Sequence, residues 1–274
     1  MVIEQQRSSL GDVHFLTCPV RPEDPDPTWL SITTSPCGYS HNTLLLKTLN
    51  IQGVNAPPRY IGLCVRPIGA KDLNSGDLAK KLPVWLEYLR HLGVDHVFLY
   101  LPEVSDNVRK VVDFYQRETL RLLTTVEWDV MNKNLDPLVS QEAGIMDCLY
   151  RNMVGYKYIM VQSFMEVPIF GDRNGNMKQL AKSDWFQEKM DKYGGLRLEH
   201  GSSSEAELKL IPPAFIVESK LILATAANHF ISLTRRPYHQ ILDRRDVRTG
   251  NMNEINTNLL QGLQKLADAK LTRK

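Results

Sequence analysis

No stretch of this sequence is apolar for long enough to cross a membrane. The amino terminus, MVIEQQRSSLGDVHFLTC, also lacks the hydrophobic core that a signal peptide needs. The chain is therefore expected to be cytosolic or a soluble piece of something longer. Long basic blocks are missing too: 33 Lys+Arg against 31 Asp+Glu leave a formal charge of +2, too small to point to nucleic acid. No N-x-S/T triplet marks a glycosylation site. No G-x-G-x-x-G follows the first regular apolar run and no Walker loop occurs, which weighs against dinucleotide and P-loop nucleotide binding. The four cysteines have no metal-ligand spacing. Cys18 and Cys37 lie in a loop-rich segment and could pair in an oxidising compartment. Cys64 and Cys148 fall in apolar runs and read as buried thiols that act as small hydrophobes.

What is present is ordinary for a globular protein: 43% hydrophobic and 23% charged residues over 274, enough for one large domain or two small ones. Residues 1–57 are rich in Pro, Ser and Thr with short β-like runs, and read as a β-rich N-terminal extension. A regular pattern starts at residue 58 and is taken to run to 250. RYIGLCV (59–65) is a strand. Leu82, Trp85, Leu86, Leu89 and Leu92 then repeat at helical spacing, with Pro83 suited to a first turn and Gly93 to a stop.

VDHVFLYL (94–101) is a second strand, followed by a helix capped by Ser105 with Val108, Val111, Val112 and Tyr115 on one face. RLLTTVEW (121–128), a helix over 140–153 and the run Tyr158–Val161 complete four alternations of strand and helix. That order predicts an α/β fold with a doubly wound, mainly parallel sheet flanked by helices. Residues 251–274 close the chain with Leu259, Leu260, Leu263, Leu266 and Ala267 on one helical face, to pack on the domain or to bind a partner.

The segments YIGLCVRPI, VWLEYLRHLGVDHVFLYL, VVDFYQRETLRLLTTVEW and QEAGIMDCLYRNMVGYKYIMVQSFMEV, in this order and spacing, resemble glycosyltransferase family 92, once listed as domain of unknown function 23. The resemblance is taken over residues 59–250, with the preceding segment similar to the β-rich lead-in of family members. It implies a GT-A-like fold and transfer of a hexose, galactose in well-known members, from a UDP-sugar to a hydroxyl of a glycan or glycoprotein acceptor. It also implies a Golgi-type lumenal enzyme held as a type II membrane protein, whose anchor is absent from this chain.

In the family, the strand matching Lys157–Val161 runs into D-x-D-E, whose carboxylates hold a divalent ion, usually manganese, against the donor diphosphate. Hard cations want oxygen ligands, and a bound cation stabilises charge on the leaving UDP. Here an ungapped alignment puts Ser163 and Met165 at the two aspartates and Glu166 at the glutamate. A serine is a weak neutral ligand and a thioether a poor one for a hard cation. The resemblance thus implies a donor site with a degenerate metal motif, in which Glu166 and His229 are the remaining metal-ligand candidates and His239 is an alternative to His229. Arg66, at the end of the first strand, and Gln141 join Ser163, Met165 and Glu166 as candidate donor-binding residues. Asp147 and Arg151 read as structural.

Arg235, Arg236, Arg244, Arg245 and Arg248 are either a solvated face or replacements for the metal charge. For an inverting transfer the general base is sought among Asp184, Glu199, Glu205 and Glu207. Three functional readings are weighed: a UDP-sugar-dependent transferase, an inactive family member that binds or scaffolds, and a nucleotide-binding regulatory module unrelated to sugars.

Overall fold

The structure is a computed structural model that describes residues 2–8, 11–17, 28–33, 35, 38–40, 42–45, 59–68, 78–117, 122–128, 137–170, 175–193, 195–197, 215–218, 247–251 and 257–272. The chain divides into two units, Met1–Pro57 and Pro58–Lys274. In the first, β1 (Val2–Ser8) and β2 (Gly11–Thr17) form an antiparallel pair, and β3 (Trp29–Leu30) pairs with β4 (Leu44–Leu45). Cys18 and Cys37 lie outside the described residues.

The second unit is built on a six-stranded sheet. Its described elements are β5 (Arg59–Val65), α1 (Leu78–His91), β6 (His96–Leu101), α2 (Asp106–Arg117), β7 (Leu123–Glu127), α3 (Pro137–Asn152) and β8 (Tyr156–Gln162). After these come β9 (Glu166–Phe170), α4 (Met177–Lys182), α5 (Asp184–Tyr193), β10 (Gly195–Arg197), β11 (Phe215–Glu218), β12 (Val247–Asn251) and α6 (Thr257–Thr272). The strand order is β10-β11-β8-β5-β6-β7. Strands β5 to β8 are parallel, while β11 and β10 extend the sheet antiparallel beyond β8.

From β5 the chain steps outward to β6 and β7, then returns through α3 to β8 on the other side of β5. Right-handed crossovers that reverse direction put their helices on opposite faces of a sheet. The core is divided accordingly. Leu63, Val65, Leu99, Tyr158 and Met160 pack with Trp85, Leu86 and Leu89 of α1 and Val111, Val112 and Tyr115 of α2. Cys64, Phe98, Tyr100, Ile159 and Val161 face the other way, toward Ile145, Cys148 and Leu149 of α3. Successive strand residues point to opposite faces, so both sides of β5 and β8 are apolar, as in any parallel sheet covered on both sides.

Two sequence expectations are corrected, and one strand is new. Helix α1 begins at Leu78, placing Pro83 inside it rather than in its first turn. Leu78 and Leu82, one turn apart, are both buried, and that burial outweighs the hydrogen bond that the proline nitrogen cannot donate. At the other end Gly93, with φ 85°, closes the helix: Gly93 N donates to Arg90 O (2.9 Å) and Val94 N to Leu89 O (3.0 Å), a Schellman stop. The new strand is Glu166–Phe170, to which the sequence reading gives no element; it pairs antiparallel with β12. The second correction is that Cys64 and Cys148 are joined in a disulfide, with Cα atoms 5.9 Å apart. They are not free buried thiols.

Helix α6 belongs to the second unit and packs on α1. Leu263 and Ala267 are buried there, and Lys270 Nζ reaches the fully buried Glu87 at 2.8 Å. Glu87 also accepts from Tyr115 Oη (2.9 Å) and lies 3.4 Å from Arg90, so its charge is shared among three partners.

Candidate functional site at the switch point of the sheet

In an open α/β sheet, ligands bind past the carboxyl ends of the strands, where the strand order reverses. Here that place lies between β5 and β8, and the residues leaving those strands are Arg66 and Ser163. The two strands stay in register to the end: Val65 pairs with Gln162, and Arg66 N donates to Gln162 O at 3.0 Å. Arg66 Nη1 donates to Ser163 Oγ at 3.3 Å. Arg66 as a whole is 5% exposed. Burial pulls its pKa down to about 10, a fall that the negative charge of Glu166 opposes, so it stays cationic at neutral pH.

Its position is fixed from behind. Pro67 packs against Gly144 of α3, and a Cβ on residue 144 would overlap the proline ring. One turn of α3 earlier, Ser140 Oγ accepts from Trp128 Nε1 at 3.2 Å. Gln141 lies between these two contacts, so it stands at the same end of the sheet as Arg66.

Ser163 to Glu166 form a tight turn closed by Glu166 N donating to Ser163 O (3.3 Å). The Glu166 carboxylate folds back and accepts from Ser163 N at 2.9 Å. From below, Trp85 Nε1 and Gln162 Nε2 both donate to Glu166 O at 2.8 Å, and Trp85 meets Phe164 edge to face at 5.4 Å. The turn is thus held by the buried helix α1 and by β8 itself. Met165 sits at φ 61°, in the left-handed region that non-glycine residues seldom occupy and that Asn and Asp tolerate best.

The ion implied by the family resemblance can be tested against this donor set. Glu166 supplies one carboxylate, already engaged by Ser163 N; Ser163 supplies a hydroxyl that accepts from Arg66; Met165 supplies a thioether. Among the described residues no group of three or more His, Cys, Asp or Glu could hold a metal. The described residues do not fit a hard divalent cation, and an arginine is already in their midst. His229 and His239 lie outside the described residues, as do Arg235, Arg236, Arg244 and Arg245, while Arg248 falls in β12.

Of the candidate bases, Glu199, Glu205 and Glu207 also lie outside the described residues. Asp184 starts α5, two residues after Lys182, whose ammonium lies over the Tyr60 ring at 5.2 Å. Nearby, Lys178 pairs with Asp95, which accepts from Tyr60 N and Ile61 N. All of this belongs to the amino ends of the strands, about 20 Å from Arg66 at some 3.3 Å per residue. The structure does not bring Asp184 to the switch point.

Asp147 and Arg151 are where a structural role puts them. Arg151 Nε and Nη2 reach the Asp147 carboxylate at 3.0 and 2.7 Å, and Tyr100 Oη donates to it at 2.6 Å. Burial, then the Asp147 hydrogen bond, hold the Tyr100 hydroxyl well above its ordinary pKa. A cleft of about 420 Å³ lined by His96, Phe98, Gln116, Leu123, Thr124, Asn152 and Tyr156 opens at the amino ends, away from Ser163. Sequence reasoning gave those residues no role.

Residues 59–193, from β5 through α5 and just under half of the chain, match the family described as Glycosyltransferase family 92. The chain resembles that family over the segment that builds the parallel sheet and carries Arg66, Ser163 and Glu166. The match stops at 193, short of the 250 expected from the sequence. No curated protein matches the chain. Among solved structures, it is similar to 4-diphosphocytidyl-2C-methyl-D-erythritol synthase from Anaerococcus prevotii DSM 20548 at 10% identity and TM-score 0.40, covering 78% of this chain and 99% of that one. It is also similar to the apo bifunctional glycosyltransferase WbbM at 9% identity and TM-score 0.38, covering 72% of this chain and 37% of that one.

Proposed function

We propose that this protein is a glycosyltransferase of family 92 type, taking a hexose, galactose first among the candidates, from a UDP-sugar to a hydroxyl of a glycan or glycoprotein. The observation that carries the reading is the placing of Arg66, Ser163 and Glu166 at the switch point of the sheet, within the segment that matches the family. A lumenal, secretory-pathway setting is proposed with it. The Cys64–Cys148 disulfide supports that setting, because such bonds persist in oxidising compartments.

The chemistry asked of this chain's residues is modest. A planar guanidinium offers parallel N–H donors to phosphate oxygens, and its burial in a low-dielectric site increases its effect on the charge of a leaving UDP. A rigid turn beside it keeps the donor's position fixed.

A second reading is favoured by one observation. The Glu166 carboxylate is tied to Ser163 N, so the turn already satisfies its acid internally. On that reading the protein keeps the fold and acts by binding or scaffolding. The two are separated by incubating the full chain with a panel of UDP-hexoses, with and without glycan acceptors, and measuring released UDP. Acceptor-dependent UDP release with one hexose supports transfer. Donor binding without turnover, across all donors and acceptors, supports the binding protein.

A further inference from the structure

We propose that Arg66 is the resident cation of this site: it occupies the place where the family resemblance puts a divalent ion, and a nucleoside diphosphate binds there through it without metal. The inference rests on the glycosyltransferase reading for the class of ligand, and on this chain's own geometry for the rest.

Three observations meet at one point. The first is position: Arg66 leaves β5 beside the residues that leave β8, at the crevice where the sheet reverses order. The second is donor chemistry: of Gln162 to Glu166, one residue alone is acidic, and its carboxylate accepts from the turn's own backbone. Among the described residues a hard divalent cation finds too few oxygens and a like charge next to it. The third is pre-ordering: the Arg66 backbone is tied to Gln162, its guanidinium to Ser163, and the following Pro67 is wedged against Gly144.

An arginine held in this way is charged before any ligand arrives. Its Nη1 reaches Ser163 Oγ, and a planar guanidinium fork matches two oxygens of a diphosphate. Arg66 stands on the sheet, at the end of a parallel strand.

The test is calorimetric titration of UDP into the full chain, once in EDTA and once in excess Mn²⁺. Affinities equal within about threefold are expected. Arg66→Gln should weaken UDP by about 10- to 100-fold, the effect of losing a charge-assisted bond. Arg66→Lys, which keeps the charge but not the fork, should fall between. Binding that requires Mn²⁺, or that Arg66→Gln leaves unchanged, overturns the proposal while sparing the glycosyltransferase reading. Absence of UDP binding in both buffers overturns both.

Should Arg66→Gln fail to fold, a gain-of-metal experiment takes its place. Ser163→Asp with Met165→Asp restores the family's carboxylates, and electron paramagnetic resonance counts bound Mn²⁺. With Arg66 in place the double variant is expected to take up no more Mn²⁺ than the parent. Uptake in that background overturns the proposal.

Discussion

Replacing both members of the Cys64–Cys148 bridge by alanine should lower stability by a large and calculable amount. The two residues are 84 apart in sequence, and closing a loop of that length removes about 4–5 kcal/mol of freedom from the unfolded chain at 25 °C in the chain-entropy model. Both side chains are fully buried between β5 and α3, so little strain relief or solvent gain offsets the loss. In a unit the size of Pro58–Lys274, that loss corresponds to a fall in Tm of roughly 9–18 °C. Thermal unfolding followed by far-ultraviolet circular dichroism, parent against double variant in non-reducing buffer, measures it. Non-reduced peptide mapping should find Cys64 and Cys148 in one linked fragment. A Tm change below about 3 °C, or a parent map with both thiols free, refutes the reasoning.

Three further outcomes follow from single contacts. Met165→Asn should be neutral or stabilising and Met165→Val destabilising by about 1–3 kcal/mol, because φ 61° suits asparagine and penalises a β-branched residue; chemical denaturation compares them. Lys270→Met should cost about 2–3 kcal/mol by leaving the buried Glu87 with Tyr115 and Arg90 alone, and hydrogen exchange should rise across Thr257–Thr272. Stability should fall between pH 10 and about 12: burial raises the Tyr88 hydroxyl to about 12, so the unfolded chain releases its proton first and gains about 2–3 kcal/mol over the folded one. Tyrosinate absorbance set against the unfolding free energy at each pH checks the sign. Burial lowers Arg66 to about 10, which acts in the opposite direction over the same window and offsets Tyr88; the net fall is then carried by Tyr150 and Tyr100, whose hydroxyls burial also raises.

The alternating strands and helices were legible because periodicity is a local signal. Leu82, Trp85, Leu86 and Leu89 sit on the buried side of α1 as their spacing requires, and Tyr158–Val161 is the buried strand its apolar run suggests. What failed depended on contacts between distant residues. Cys64 and Cys148 look like ordinary apolar-run thiols until β5 and α3 are stacked. Arg66 and Ser163 are 97 residues apart, and the parallel register that joins them is not written in either strand. Strand β9 was missed because Pro168 argues against a strand, and its partner β12 lies far along the chain. The switch point itself could be inferred once four alternations were read. The candidate donor residues Ser163, Met165 and Glu166 were found by family resemblance, whereas the hold of Trp85 and Gln162 on that turn had no sequence signal.

The central claim is that the Arg66–Ser163–Glu166 end of the sheet takes the diphosphate of a UDP-sugar without a metal. A crystal structure of the full chain grown with UDP in the presence of EDTA tests it most directly. The expected result is phosphate density within hydrogen-bonding distance of the Arg66 guanidinium, past the carboxyl ends of β5 and β8. UDP found instead in the cleft of His96, Thr124 and Tyr156 at the opposite end of the strands would contradict it.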